Sequence, residues 1–406
     1  MKKILLAILI IIVLVLAGAL WYAYGHGGNM AGISIPFFGS AENNPPANNP
    51  GTQSGGNTPL AVGGTSNTSG SQKVFLIAQG PVVAAELMQG AGSTTIARYI
   101  TGDDGHVLDE TLGATGATPG VISQTTIPGV AQALWSDSGS GAILQYLEGP
   151  TVKTVHLGFS EGTSSQPQTT VQFLPDDIES IAVSPDGTRV AYLLQMTAGV
   201  SGYIAASDGS TAKKLFSLPL SGVALSWPSQ NEILAYSKAS AGVPGIVFSI
   251  NAKSGAVSPI LYGQGISAIT DHAFAHVLYQ IADGSAMSDY IETFASGTAS
   301  PLSGAAAAVL PEQCTTPTTG SSTVLYCAAP LTPPGGNFLD LWHQGLANAN
   351  DELVSIDLAG NTTTLIANPS SDGGEPSDGI DISVSPDGHY LSFINKDDEK
   401  LWGVEL

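Results

Sequence analysis

Basic residues are scarce in this sequence: 12 lysines and arginines stand against 33 aspartates and glutamates, and the formal net charge at pH 7 is −21. Proteins bind nucleic acids, and attach to anionic membrane surfaces, mainly through lysine and arginine side chains that neutralise phosphates. The composition therefore argues against both of these functions. It favours a well-solvated acidic surface or a cationic partner.

Charged residues of either sign are also few, at 11% of the chain, whereas globular domains average about 25%. Glycine, in contrast, occurs 49 times. A chain rich in glycine and small polar residues favours many turns between many short strands. The composition thus indicates an all-β domain, and 406 residues suffice for one large closed architecture with accessory segments.

One long apolar run is present, from Ile4 to Tyr24, and its 21 residues carry no charge. About 20 such residues span the hydrocarbon core of a bilayer. Lys2 and Lys3 precede the run and Trp21 lies near its end, as in a transmembrane helix with a cytoplasmic N-terminus. We therefore predict that residues 1–25 form a signal anchor in the lipid bilayer and that the rest of the chain lies outside the cytoplasm.

The alternative for the N-terminus is a cleaved signal peptide, since Ala17-Gly18-Ala19 is an acceptable cleavage site. The apolar run continues past this site and exceeds the ~7–15 residues of a signal peptide's hydrophobic region, which favours the anchor. Both interpretations export the remainder of the chain.

Residues 26–72 form a segment of different composition. They are mostly Gly, Asn, Pro, Ser, Thr and Ala, with Glu42 as the only charged side chain. Such a segment cannot bury enough apolar area to offset the entropy of ordering. We predict a disordered linker between the anchor and a domain at residues 73–406.

An internal repeat sets the fold of that domain. Residues 178–195 (IESIAVSPDGTRVAYLLQ) match residues 379–396 (GIDISVSPDGHYLSFINK) nearly position for position. Each copy reads as an alternating strand, a tight Ser-Pro-Asp-Gly turn and a second alternating strand. In that turn proline sets φ, aspartate bonds the local backbone and glycine supplies a positive φ.

Degenerate copies of this unit occur at intervals expected for a β-propeller. The step is 49 residues from Asp137 to Asp186 and 45 from there to Asn231, close to the ~40–50 residues of a four-stranded blade. Seven units can be traced, and the last lacks a fourth strand that residues 74–78 would supply, closing the ring. We predict a seven-bladed propeller, with a six-bladed ring as the alternative.

The V-S-P-D-G pattern resembles the repeats of TolB-type and prolyl-oligopeptidase-type propellers, which implies a protein-binding or gating module. The sixth blade adds three motifs, at 310–314 (LPEQC), 325–330 (LYCAAP) and 340–345 (DLWHQG). With the anchor and linker, they resemble a group of bacterial single-pass, membrane-anchored propeller proteins. That resemblance brings no activity, cofactor or catalytic residue with it.

The chain has two cysteines, Cys314 and Cys327, on the strands flanking a predicted turn at 315–322. A cross-hairpin disulfide is geometrically reasonable in an oxidising compartment. A reduced buried pair is the alternative; two thiols without clustered histidines fall short of a zinc site.

Other motifs do not support catalysis or metal binding. Residues 158–162 match G-x-S-x-G, but a nucleophile elbow needs a helix directly afterwards, and a loop is predicted there. Asp271, His272 and His276 would be too far apart along a strand to share one ion. We predict no catalytic, cofactor-binding or metal-binding residue.

Acidic pairs occur at Asp103-Asp104, Asp176-Asp177 and Asp397-Asp398, and they fall in predicted turns without the spaced oxygen ligands of a calcium loop. Trp342, in the long insertion of blade six, suits either ligand contact or packing between blades. The sequence does not place His106, His156, His343 and His389 relative to one another.

The hypothesis for function is a binding or scaffold module for a protein, peptide or glycan, with a monomeric ectodomain. The alternatives are an exported propeller hydrolase or lyase, and a structural envelope protein. A convergent cluster of titratable side chains at the channel mouth would favour the enzyme.

Overall fold

The computed structural model describes residues 72–114, 118–160, 168–304, 308–317, 323–335 and 337–406. The predicted transmembrane helix at Ile4 to Tyr24, and the linker up to residue 71, lie outside these residues. Within the described part of the chain, no helix combines the length and the apolar character needed to cross a membrane.

The described residues form seven antiparallel sheets of four strands each. The first strand of the described residues is β1 (Val74–Ala78). Blade one contains β2 (Val82–Gln89), β3 (Thr95–Thr101), β4 (Val107–Thr111) and β5 (Gly120–Ser123). Blade two contains β6 (Val130–Ser136), β7 (Gly141–Glu148), β8 (Thr151–Ser160) and β9 (Gln168–Phe173).

The middle blades repeat this order. Blade three contains β10 (Ile178–Val183), β11 (Arg189–Met196), β12 (Gly199–Ala206) and β13 (Lys213–Leu218). Blade four contains β14 (Val223–Ser226), β15 (Glu232–Ser237), β16 (Pro244–Asn251) and β17 (Val257–Gln264). Blade five contains β18 (Ser267–Thr270), β19 (His276–Ala282), β20 (Met287–Thr293) and β21 (Thr298–Pro301).

The last two blades depart from the pattern. Blade six contains β22 (Cys314–Thr315), β23 (Val324–Pro330), β24 (Asp351–Asp357) and β25 (Thr362–Ala367), with helix α1 (Phe338–His343) between β23 and β24. Blade seven contains β26 (Gly379–Val384), β27 (Tyr390–Asn395) and β28 (Leu401–Glu405), followed by β1 as its outermost strand. Short 3-10 turns lie at Ala91–Ser93, Asp137–Gly139 and Pro311–Gln313.

The ring closes as the sequence predicts. Strand β1 pairs antiparallel with β28, placing Val74 opposite Val404. This pairing covers the edge that the last blade would otherwise expose. Seven blades are therefore confirmed, and the six-bladed alternative is wrong.

The Ser-Pro-Asp-Gly turns form by the predicted chemistry. Asp186 Oδ1 accepts hydrogen bonds from Ser184 Oγ at 2.6 Å and from the Thr188 amide at 3.1 Å. Gly187 has φ of 73°, a conformation that favours glycine. The same arrangement recurs at the second copy of the turn, in blade seven.

The hydrophobic core lies between neighbouring blades. Leu193 of blade three packs in one cluster with Val223 and Ile233 of blade four, all at most 1% exposed. Four consecutive residues of β11, from Val190 to Leu193, are buried. The predicted alternation in this second strand is thus incomplete, because the sheet is covered on both faces.

The connections divide between two ends of the propeller. First strands of neighbouring blades contact one another, as β10 does with β14, so they are the innermost strands. Because every blade repeats the same order, connections from second to third strands and from one blade to the next lie at one end. We call this end the insertion face, since it carries α1, and the opposite end, with the Ser-Pro-Asp-Gly turns, the turn face.

The predicted disulfide between Cys314 and Cys327 is present. The two cysteines are direct partners in the β22–β23 pairing. Cys327 is fully buried, within the apolar cluster of blades five and six. The bond therefore holds the shortest inner strand, β22, to its blade.

Replacing both cysteines by serine is expected to lower the free energy of unfolding by about 3 kcal/mol, since the bond closes a loop of 13 residues. Denaturant unfolding of the oxidised and double-variant proteins measures this, with intact-mass analysis confirming that the native protein lacks two hydrogens. Equal midpoints for the two proteins would contradict the assignment.

Candidate functional site: the blade-six insertion

Residues 331–350 connect β23 to β24 and form the longest insertion of the described propeller at the insertion face. Within it, Leu339 and Trp342 are buried, in a cluster with Ala239 of blade four and Ala282 of blade five. Asp340 Oδ1 accepts a hydrogen bond of 3.0 Å from the Ala241 amide. The insertion therefore reaches from blade six past blade five to blade four.

The Asp378 carboxylate anchors the insertion to blade seven. Trp342 Nε1 lies 3.0 Å and 2.8 Å from its two oxygens, and the Ala349 amide donates to Oδ2 at 3.2 Å. Lys396 Nζ lies 3.8 Å from Oδ2, donates to the Trp342 carbonyl at 2.8 Å and lies 4.0 Å from the centre of the indole ring. Trp342 thus packs between blades, the second of its two predicted roles.

A second buried carboxyl group, on Asp351, lies beside the first. Gln313 Nε2 lies 3.1 Å from Asp351 Oδ2 and 2.9 Å from Asp378 Oδ1, and the Gly379 amide donates to Asp351 Oδ2 at 2.8 Å. Burial, reinforced by the charge of Asp378, raises the pKa of Asp351 to about 8. Asp351 is therefore protonated at neutral pH. Burial also raises the pKa of Asp378, although the hydrogen bond from Trp342 and the charge of Lys396 favour its anion.

An ion pair adds a further attachment. His343 Nε2 lies 3.0 Å from Glu312 Oε2. Burial favours the neutral imidazole, but the Glu312 carboxylate outweighs it and raises the pKa of His343. The blade-six motifs at 310–314 and 340–345 thus meet in space.

Acidic residues are concentrated at the insertion face. The connections at this end hold thirteen acidic residues and three lysines in the described ranges, whereas those at the turn face hold five acidic residues. The thirteen are Asp103, Asp104, Asp176, Asp177, Asp283, Glu312, Asp340, Asp372, Glu375, Asp378, Asp397, Asp398 and Glu399. The three predicted acidic pairs therefore share one face.

Exposed apolar side chains also mark the insertion face. Leu346, just after α1, is 70% exposed, and Val243 in the adjoining connection of blade four is 53% exposed. Leu331, at the start of the insertion, is likewise exposed. Most other large exposed apolar side chains, such as Tyr262, lie on the outermost strands of the blades.

The two histidines of blade five form structural contacts. Asp271 and His276 flank a turn, and His276 Nδ1 lies 2.8 Å from Asp271 Oδ2, so the expected separation along one strand was wrong. His272 lies 2.7 Å from the Pro228 carbonyl and 3.0 Å from the Pro317 carbonyl, linking blades four, five and six. Over the described ranges, no group of three or more Asp, Glu, His or Cys side chains is arranged to hold a metal ion.

A serine, a histidine and an aspartate meet at the turn face, which the sequence did not reveal. His156 Nε2 lies 3.2 Å from Ser136 Oγ and 3.4 Å from Asp137 Oδ2. In a catalytic triad the serine and the aspartate contact different ring nitrogens of the histidine. Here both contact Nε2, so this arrangement cannot relay a proton. Asp137 instead accepts from Ser207 Oγ at 2.9 Å.

The G-x-S-x-G segment provides no nucleophile either. Ser160 ends β8, and its hydroxyl lies 3.4 Å from the Gln168 carbonyl, on the adjacent strand β9. The next described element is therefore a strand and not a helix; residues 161–167 lie outside the described ranges.

The other four histidines of the described ranges do not converge. His106 and His343 lie at the insertion face, where His106 pairs with Asp104 at 3.1 Å, and His156 and His389 lie at the turn face. His389 borders an open groove of about 480 Å³ between blades seven and one, which is lined mainly by hydroxyl and carboxylate side chains, together with Leu112 and Leu406.

Comparison with known proteins finds similarity in structure but not in sequence. No protein-family profile matches the chain, and no curated protein matches it in sequence. The structure of the tricorn protease is similar, with a TM-score of 0.50 at 8% identity over 84% of this chain and 34% of that chain. A prolyl endopeptidase gives 0.49 at 13% identity over 81% and 47%, and TolB from Acinetobacter baumannii gives 0.40 at 15% over 80% of each.

The chain therefore spans about a third of the length of the tricorn protease chain. TolB and prolyl endopeptidase are the two kinds of propeller that the repeats resemble. At 8% identity the likeness to the tricorn protease concerns the fold alone, and the seven blades are defined by the seven four-stranded sheets of this chain.

Proposed function

We propose that this chain is a binding or scaffold module for a protein partner, held outside the cytoplasm by residues 4–24 and engaging its partner through the insertion face. One observation carries the proposal: a twenty-residue insertion, rigidly anchored by buried polar contacts, presents exposed apolar side chains at the end of a propeller. Loops held by a rigid scaffold are the usual carriers of recognition.

The geometry of the anchor supports binding more than chemistry. Asp378 is buried and accepts hydrogen bonds from Trp342 and Ala349 of the insertion, so it holds the path of this segment. Among the exposed residues that the structure describes in the insertion, Leu331 and Leu346 are apolar, and the polar ones, such as Gln344, carry hydroxyl or amide groups and no titratable group. Exposed apolar side chains on a fixed surface suit contact with another protein.

Export of the domain is part of the proposal. It is supported by the uncharged run from Ile4 to Tyr24 behind Lys2 and Lys3. It is also supported by the Cys314–Cys327 disulfide, since such bonds persist in oxidising compartments.

A photocrosslinking residue placed at Leu346 in the full-length chain is expected to give a discrete protein adduct on intact cells. The control places the same residue at Tyr262 on β17, which is 67% exposed against 70% for Leu346 but lies on an outer strand. Adducts at Leu346 alone support the proposal. Equal labelling at both positions, or none at Leu346, would refute it.

A further inference from the structure

The outermost strand of blade two, β9, ends its sheet with an open edge. It pairs with β8, and within the described residues no strand pairs with its other side. The Leu174 amide, just after β9, donates to the Thr154 carbonyl of β8 at 3.0 Å. Because the direction of the backbone N–H groups alternates along a strand, those of Thr169, Val171 and Phe173 point away from β8. These three residues therefore present N–H and C=O groups that another extended backbone could engage.

The outermost strands of the other six blades carry features that hinder such pairing. Register shifts interrupt the pairing of β1, β5, β13, β17 and β25 with their neighbours. Strand β21 has only four residues and ends at Pro301. Irregular pairing, proline and short length are usual means by which proteins protect sheet edges. In β9, by contrast, six residues pair with β8 in one unbroken register, and none of them is charged or a proline.

The side chains of β9 are also uncovered. None of its six residues is buried. Val171 and Phe173 lie two positions apart, and hence on one face of the strand, and they are 45% and 61% exposed. Gln168, Thr170 and Gln172 occupy the opposite face. The open edge thus has an apolar face and a polar face, and it carries no charge.

We propose that β9 pairs antiparallel with β9 of a second copy of this chain, about a two-fold axis at Val171. Val171 then lies opposite Val171 of the other copy, and Phe173 lies opposite Thr169. This register brings the outward N–H and C=O groups of all three residues into pairs, so each of them donates one hydrogen bond and accepts one. The two blades become one continuous sheet, and a dimer replaces the monomeric ectodomain expected from the sequence.

The charge and the symmetry of the edge favour a second copy over an unrelated segment. The chain carries a net charge of −21, and like charges placed opposite each other weaken strand pairing. Because β9 is uncharged, two acidic copies can pair here without that loss. The two-fold register also covers the exposed side chains of Val171 and Phe173 with the strand of the other copy. Each copy closes the edge of the other, so the assembly stops at two.

Single cysteines in the full-length chain, oxidised on intact cells, test the register. The native cysteines are bonded to each other, so an introduced thiol reports the contacts of its own position. V171C is expected to form a disulfide-linked dimer, because its two copies meet at the axis. T169C is the control, since its two copies lie roughly four residues, or ~13 Å, apart along the strands. Coexpressed T169C and F173C chains should crosslink to each other.

A lysine at the axis tests the stability of the dimer. V171K places two like charges opposite each other, and the dissociation constant of the dimer is expected to rise about tenfold. L365K is the matched control, since Leu365 is 54% exposed on β25, an outermost strand with a shifted register. Sedimentation of the full-length chain in detergent measures the dimer, and thermal unfolding checks that both variants fold like the native protein.

Dimers from V171C without dimers from T169C, together with a weakened dimer in V171K and a native one in L365K, would support the proposal. A native chain that sediments only as a monomer, or equal dimers from V171C and T169C, would overturn it. Adducts of V171C with a protein of different mass would show that the edge accepts another chain, which overturns the second copy. Adducts at Leu346 of blade six are independent of each of these results.

Discussion

Substitution of Asp378 by asparagine is expected to destabilise the protein by about 3–5 kcal/mol, the usual loss when one member of a buried charged pair is removed. Both Asp378 oxygens accept hydrogen bonds, from Trp342 Nε1, Gln313 Nε2 and the Ala349 amide. In either orientation, the asparagine NH₂ group would face a donor. Lys396 would also lose the anion beside it.

The D378N substitution should destabilise the insertion locally before it unfolds the whole domain. Hydrogen exchange of D378N is expected to accelerate first in the insertion, residues 331–350, because its anchor is broken while the blade pairings remain. Glu375→Gln, in the same connection, is the control, since Glu375 forms only a surface pair with Lys400. If D378N unfolds at the same denaturant concentration as E375Q, Asp378 does not anchor the insertion.

Substitution of Asp351 by asparagine should change the pH dependence of stability instead. In the unfolded chain Asp351 ionises near its usual pKa of 3.8, whereas in the folded protein its pKa is about 8. Between these values the folded state binds more protons than the unfolded state, so stability falls as pH rises through this window. Asparagine mimics the protonated carboxyl group and removes this contribution.

The expected difference is large. Between pH 6 and pH 8 the native protein should lose about 2–3 kcal/mol more than D351N, at roughly 1.4 kcal/mol for each pH unit. Burial also raises the pKa of Asp289 and of Glu86 to about 7, so the stability of D351N should still fall in part as the pH rises. Urea unfolding at several pH values measures the stability of both proteins. Parallel curves of stability against pH would show that Asp351 is ionised when folded.

The sequence predicts the fold well because the signal is local and repeated. The turn at Ser184–Gly187 and its second copy define both inner strands of a blade, and the spacing of the degenerate copies gives the count of seven. The closing role of β1 follows from the missing strand of the last blade. Each inference needs only neighbouring residues and the rule that exposed sheet edges are covered.

The site is less accessible to the same reasoning. Gln313, Asp351 and Asp378 are far apart in sequence, and they meet where the path of the chain brings the connections into blades six and seven beside the start of β24. No local pattern encodes that path. The location of the three acidic pairs on one face could be predicted, however, because the order of the connections alone determines the end of the propeller at which each pair lies.

Hydrogen exchange of the full-length chain, with and without the partner recovered from the Leu346 adduct, tests whether the insertion face is the binding surface. With the partner bound, we expect slower exchange in residues 331–350, 238–243 and 396–400. Slower exchange confined to the turn face, at residues 90–94 and 385–389, would contradict it.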